Sequence, residues 1–408
     1  MISVEKAVQI ILDSIEVLGP EKAPLLSAWG RVLAEDIISK DDLPSFNYAS
    51  TTGYALKASD IAKASSSNPI SIHLDGDIKP GQQWLEPLKP KHTVRINMGA
   101  PLPEDADSIL PEEHVVRHSS KKVVIYKAAR VGYNIRIKGE DIPKGSLVLP
   151  RGKKLSATDI GTISAIGLTE VNCYRVPRAS FLTSGNGLAE DNGSLSVGLT
   201  RSSNRYILYS QLAEYGVEPI DLGITNHDKK EFLGKISEGL KYDLFICSVG
   251  HSFDDFAYAK RMLEQAGMDI KFWRVAIKPA TPIIFGICNN KPAFCISGQP
   301  FSFYLVLEQF IRSALMKMMG NTIIKRTEVQ ATITKDLRVD NGMTTFIRGI
   351  VYLTENGFTV TPEFRKSSSI KAFTTTNGLI VVPANSGYIK SGSRVTVQVT
   401  AEPKNNNN

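Results

Sequence analysis

Cysteine is scarce in this sequence. Four residues in 408, Cys173, Cys247, Cys288 and Cys295, form no Cys-x-x-Cys pair, which argues against a disulfide scaffold and the usual zinc-ribbon spacings. The last three sit inside apolar runs, where a thiol serves as core filling. Long hydrophobic stretches are missing as well: no run approaches the roughly 20 apolar residues that span a bilayer. The N-terminus lacks a basic segment followed by an apolar core and a small-residue cleavage site. A cytoplasmic location with no membrane partner is therefore expected. Charge of one sign is also lacking, because 48 basic and 41 acidic residues leave only +7 and are interspersed rather than clustered. That balance can attract a phosphorylated small molecule, but it offers no nucleic-acid face.

What is present is ordinary globular composition, 42% hydrophobic and 22% charged, in a chain too long for one core, so about two to four domains are expected. The organising stretch is Tyr242 to Ser302. Tyr242 to Cys247 reads as a buried strand. It passes into the small polar turn Ser248 to Asp255, and a helix follows with Asp254 or Asp255 as its cap and Gly267 as its stop. Ile270 to Ile277, Pro282 to Ile287 and Ala293 to Ile296 read as strands. Ser297-Gly298-Gln299-Pro300 then opens a long apolar helix reaching Met319. Strands alternating with helices imply a parallel sheet whose loops gather at the strand C-termini.

The rest of the chain falls into place around that unit. Ser3 caps a helix carrying Val4, Ala7, Val8, Ile11 and Ile15 on one stripe, and Leu25 to Ile38 reads as a second amphipathic segment. From Ser45 to Asp141 the helical period gives way to short strands such as Ile70 to Leu74 and Lys122 to Tyr126. The helical pattern returns from Ser156 to Gly167. Ala179 to Thr183 is a strand leading to the loop Ser184 to Gly187; helices are expected from Ser202-Ser203-Asn204 to Tyr215 and from Asp228 to Leu240. Beyond Asn321 the pattern alternates again, and the tail from Lys404 is expected to be disordered. The fold class is α/β plus β in a multidomain chain.

Several motifs resemble, in order and spacing, those of the molybdopterin molybdenumtransferase family, MoeA and the gephyrin E-domain. They are Phe46 to Ala55, Met98 to Glu104, Gly139-Glu140-Asp141-Ile142, Lys278 to Pro282 and Ile296 to Pro300. The resemblance implies an elongated subunit with a MogA-like α/β domain at 176–320, a helical linking domain at 1–44 and 142–175, whose N-terminal helix is free to pack elsewhere, a β-rich insertion at 45–141, a C-terminal β-barrel at 321–403 and a tail at 404–408. It implies a homodimer, other molybdenum-cofactor proteins as partners, and insertion of molybdate into molybdopterin or its adenylylated form with Mg2+. The departures are informative. Thr52, Asn186, Gly187 and Ala257 stand where the family has carboxylates, and Thr281 where it has a lysine, as though five loops of one pocket had changed. A pyrophosphate-linked pterin needs acids for the metal, glycines for close backbone approach and a cation for charge.

What remains suits an anion more than a metal. Ser184, Gly185, Asn204, Gly250, Ser252, Gly298 and Pro300 are the candidate ligand-binding residues, because turn amides and helix N-termini bind anions without acidic side chains. Asp255 and Lys278 are the candidate catalytic residues, and Asp254 with Asp255 the candidate metal ligands. Each has a plainer reading: Gly250 turns the chain, Ser252 or the acids cap a helix, and Lys278 is solvated. His251 is the one new titratable residue in its loop, with no second histidine or cysteine at ligand spacing. Three functions stay open: an altered molybdenumtransferase, a non-catalytic binding or scaffold paralogue, and the same fold with a new ligand. Light scattering at micromolar concentration tests the dimer, with twice the chain mass expected; a monomer would contradict the resemblance on this point.

Overall fold

The protein was analysed as a computed structural model that describes residues 1–189, 195–226, 228–250, 252–366 and 368–405. Helix α1 spans Val4–Asp13, and the Ser3 side chain accepts a hydrogen bond from the Lys6 amide at 3.1 Å. Its stripe of Val4, Ala7 and Ile11, with Ile15 just beyond, is buried in one core with Phe181, Phe285, Phe310 and Phe346. Burial of each of the isoleucines contributes about 1.5–3 kcal/mol, so this helix belongs energetically to the α/β unit. Leu25 to Ile38 is not a helix. Only a short turn at Leu25–Ser27 is helical, Gly30 sits at φ +76°, and Ile37–Ile38 pairs antiparallel with Leu147–Leu149. That conformation favours glycine and interrupts a helix, which the apolar spacing did not reveal. The remaining helix of this region, α2 (Ala157–Ala165), carries a capping box from Ser156 and Asp159. It packs with Ala23, Leu33, Leu149 and Val171 in a separate small core.

The inserted sheet has six strands, ordered Ser108–Pro111, Gly53–Leu56, His92–Ile96, Ile70–Ile78, Lys122–Ile125 and Val115–Ser119. Arg136 and Glu140 form an ion pair at its border, and the Lys138 amide donates to Asn47 at 2.7 Å.

The α/β unit holds α3 (Ser203–Glu214), α4 (Lys229–Gly239) and α5 (Phe253–Gln265). Its six strands lie in the order Glu218–Thr225, Arg178–Ser184, Leu244–Val249, Lys291–Ser297, Pro282–Cys288 and Asp269–Arg274. The first four are mutually parallel, whereas Pro282–Cys288 runs antiparallel to both of its neighbours. The parallel sheet expected from alternation is thus mixed, because Asn289-Asn290 turns the chain directly back at positive φ and leaves no room for a crossover helix. Leu244–Val249 is buried along its whole length, as a central parallel strand between helical layers should be. Cys173, Cys247, Cys288 and Cys295 are free and buried.

The long C-terminal helix is continuous but not uniform: α6 (Pro300–Val306), a π-helical stretch at Leu307–Ile311, and α7 (Arg312–Met318). The wide turn places Glu308 against two partners. Arg326 grips it through Nε at 2.6 Å and Nη2 at 2.9 Å, and the Tyr215 hydroxyl donates at 2.8 Å. Burial, then the carboxylate beside it, pushes the Tyr215 phenol well above its ordinary value. The C-terminal strands Thr344–Thr354, Gly357–Pro362, Glu328–Ile333, Arg394–Val399 and Gly378–Val382 close into a five-stranded barrel, since the last pairs with the first. Asn377 bridges it internally, accepting from the Val351 amide at 2.6 Å and donating to the Glu402 carbonyl at 2.9 Å. The tail is not wholly structureless: Lys404–Asn405 pairs with Tyr352 and Leu353, because backbone pairing needs no apolar side chain. Residues 406–408 lie outside the described residues.

Replacing Glu308 by alanine leaves Arg326 largely buried without its partner. Such a loss costs about 3–5 kcal/mol, and denaturant unfolding of the full chain should show it, with Glu308→Gln less damaged.

Candidate functional site

The parallel strands end together. Thr183 is level with Ser248, Ser248 with Ile296, and Val249 with Ser297, so the loops after three strands open on the same edge. The Gly298 amide donates to the Val249 carbonyl at 2.6 Å, and the Gly185 amide to Thr225 at 3.1 Å. Asn204, in the first turn of α3, donates from Nδ2 to the Gly298 carbonyl at 2.6 Å and ties the helix start to the loop. The result is a crevice of about 530 Å³, within the size range of small-molecule sites. Ser184 to Gly187, Ser202 to Asn204, Gly250, Asp255, Gly298 and Pro300 line it, together with Arg201 and, from the C-terminal unit, Ile370.

Four of its polar side-chain atoms lack a partner. Thr183 Oγ1, Ser184 Oγ, Ser202 Oγ and Asn204 Oδ1 are buried without a hydrogen-bond partner, four of six such side-chain atoms among the described residues. Native proteins leave few such atoms. A ligand with complementary groups is the straightforward explanation for four in one crevice. Ser202 is the N-cap of α3, yet its side chain accepts no cap hydrogen bond. The helix dipole favours an anion at this end of α3.

The α5 turn is built differently from the expectation. Ser252, not Asp254 or Asp255, caps the helix: its Oγ accepts from the Asp255 amide at 3.1 Å, and the Asp255 Oδ2 accepts from Ser252 at 3.1 Å (N) and 2.6 Å (Oγ). A hydroxyl reaches the N3 amide with better geometry when the acid lies three residues on. Gly250 is required here, since a Cβ would sit 2.0 Å from Asp255 Oδ2.

Among the described lining residues Asp255 is the sole carboxylate and Arg201 the sole base. Mg2+ is usually held through one or two carboxylates together with substrate phosphates and waters, and among the described lining residues Asp255 would supply that carboxylate. Asp254 does not line the crevice. Neither does Lys278, which reaches away to Asp340 at 2.5 Å and holds that carboxyl below its usual range. The five departures also separate. Asn186 and Gly187 line the crevice, Ala257 and Thr281 line a more apolar cavity of about 370 Å³ beside Phe253 and Trp273, and Thr52 accepts from the Met98 amide in the inserted sheet at 3.2 Å. They are not five loops of one pocket within this chain. His251 lies outside the described residues. Sequence reasoning missed Thr183, Ser202 and Ile370. The first two were legible as a strand's last residues and a helix cap; Ile370 comes from a distant part of the chain.

Comparison with known proteins decides the family. Residues 2–167 match the MoeA N-terminal region (domain I and II), 181–317 a probable molybdopterin binding domain, and 330–400 the MoeA C-terminal region (domain IV). A molybdopterin molybdenumtransferase of Haemophilus influenzae is 30% identical, over 92% of this chain and 92% of its own. The chain belongs to the molybdopterin molybdenumtransferase family. A relative of that name from Bacillus subtilis is 29% identical over 98% of this chain and 94% of its own. Two structures of the molybdopterin biosynthesis MoeA protein from Pyrococcus horikoshii superpose with TM-scores of 0.87 and 0.82 at 26% identity, covering 98% of this chain and 100% of theirs. This is a molybdenum-cofactor biosynthesis protein of MoeA type.

The Gly250 contact gives a direct test. Gly250→Ala drives a methyl group into the Asp255 carboxylate, and such overpacking costs about 1–3 kcal/mol. Thermal denaturation should detect the loss, with part of it recovered when Asp255→Ala relieves the clash.

Proposed function

We propose that the crevice binds molybdopterin, or its adenylylated form, as substrate and that this chain inserts molybdate poorly. The observation that carries the reading is the donor set: four orphaned hydroxyl or amide oxygens at the start of α3 and the strand ends, where the Ser202 side chain makes no cap bond, beside a single carboxylate among the described lining residues. The phosphate end would rest on the first amides of α3 and the turn around Gly250. The pterin, rich in N–H groups, would pair with Thr183, Ser184, Ser202 and Asn204. An unsatisfied buried polar group costs about 1–3 kcal/mol, so pairing two of them gains roughly tenfold or more in affinity.

Catalysis has less support in the side chains. Asn186 and Gly187 replace family carboxylates in the crevice itself, and loss of one electrostatic group typically costs on the order of a hundredfold in rate. Backbone donors do not depend on those side chains, so binding outlives turnover. The reading also carries a homodimer and a cytoplasmic location, as in the resemblance.

The experiment is paired. Molybdopterin and its adenylylated form are titrated into the chain, and molybdate insertion is assayed with magnesium beside a molybdopterin molybdenumtransferase that keeps the family acids. Saturable binding with turnover at least about a hundredfold lower is expected. Comparable turnover would overturn the weak-enzyme reading, and no binding of either form would overturn the pterin site. Binding with no turnover at all would favour a non-catalytic paralogue.

A further inference from the structure

A second chemically distinct cluster lies in the inserted sheet. Parallel pairing of Ile70–Ile78 with His92–Ile96 sets His73 directly across from His92, with ring centroids 4.8 Å apart. Two residues beyond His73 the pairing shifts register between Leu74 and Gly76, and Asp75, the residue at that irregularity, joins the pair. His92 Nδ1 is 2.8 and 3.0 Å from the two Asp75 oxygens, and His73 Nε2 is 3.6 Å from Asp75 Oδ1. One ligand atom from each residue lies within 4.8 Å of the others.

These separations are close to those of a metal centre. A tetrahedral ion with bonds of about 2.0–2.1 Å holds its ligand atoms roughly 3.3 Å apart, so shifts of about an ångström or less complete the geometry. Two imidazoles and one carboxylate select an ion of intermediate softness, zinc, cobalt, nickel or copper, over magnesium or calcium. The side chains are 45%, 24% and 28% exposed for His73, Asp75 and His92, so an ion can enter and keep a solvent-facing fourth position. Lys91, Lys121 and Lys122 line the adjoining hollow with His73. Their charge opposes a bare cation and favours an anion as its fourth ligand.

We propose that His73, Asp75 and His92 bind one divalent transition-metal ion of the zinc class. The site is independent of the pterin crevice and lies in a different sheet. In the metal-free chain the same residues make a cross-strand hydrogen bond between His92 and Asp75, so metal binding displaces that bond and links two neighbouring strands through a stronger contact.

The test uses the full chain stripped with a chelator and titrated with Zn2+ by calorimetry and with Co2+ by visible absorption. One equivalent should bind, and Co2+ should develop the ligand-field bands of a four-coordinate site. His73→Gln and His92→Gln should each weaken binding by at least about tenfold, whereas His114→Gln and His118→Gln should leave it unchanged. A readout free of variants guards against misfolding: Zn2+ should protect His73 and His92 from diethylpyrocarbonate modification, located by mass spectrometry. No saturable binding, binding that survives both ligand substitutions, or protection of other histidines in their place would overturn the proposal and leave a cross-strand hydrogen bond only.

Discussion

Parallel pairing of Arg178–Ser184, Leu244–Val249 and Lys291–Ser297 is the constraint on which the rest depends. Parallel strands must end on the same edge, so each loop that follows them meets the others whatever its own sequence. Burial fixes the pairing. A one-residue slip of the fully buried Leu244–Val249 would exchange the residues facing its two helical layers, placing Phe245 and Cys247 where Leu244 and Ile246 now pack. Polar side chains at the strand ends, Thr183, Ser184 and Ser248, thereby arrive at the crevice although each is almost fully buried.

The chemistry of the crevice follows from what those ends carry. Hydroxyls and amides pair with neutral pterin edges or with phosphate oxygens, whereas Mg2+ at a phosphate is usually held through one or two carboxylates and waters. Asp255 is the one carboxylate among the described lining residues, and its Oδ2 accepts from Ser252 at the start of α5. The Gly250 backbone packs against that carboxylate, where a Cβ would sit 2.0 Å from Oδ2. The buried Glu308 cluster is the opposite case, a charge placed for architecture and fully satisfied by Arg326 and Tyr215.

Much of this was legible in the sequence. Strand, loop and helix order in the α/β unit, the Ser3 cap, the helix from Asp228 and the long helix after Pro300 all follow from spacing and capping chemistry, and the serial motifs named the family. Other features depend on contacts between remote residues. The positive φ at Gly30 breaks an apolar pattern that otherwise reads as helix, and the reversal at Asn289-Asn290 turns two strands antiparallel. Lys278 opens a family motif but is captured by Asp340, 62 residues on. The histidine cluster shows the same limit: His92 is 17 residues from Asp75, and only the pairing of two strands brings them together.

The central claim is that the crevice at the ends of the parallel strands is the ligand site. Hydrogen exchange on the full chain, read by mass spectrometry with and without molybdopterin, tests it most directly. Slowed exchange confined to peptides containing Thr183–Leu188, Ser202–Asn204, Val249–Asp255 and Gly298–Pro300 is the predicted result. Protection centred instead on the inserted sheet or the barrel, with those peptides unchanged, would contradict it.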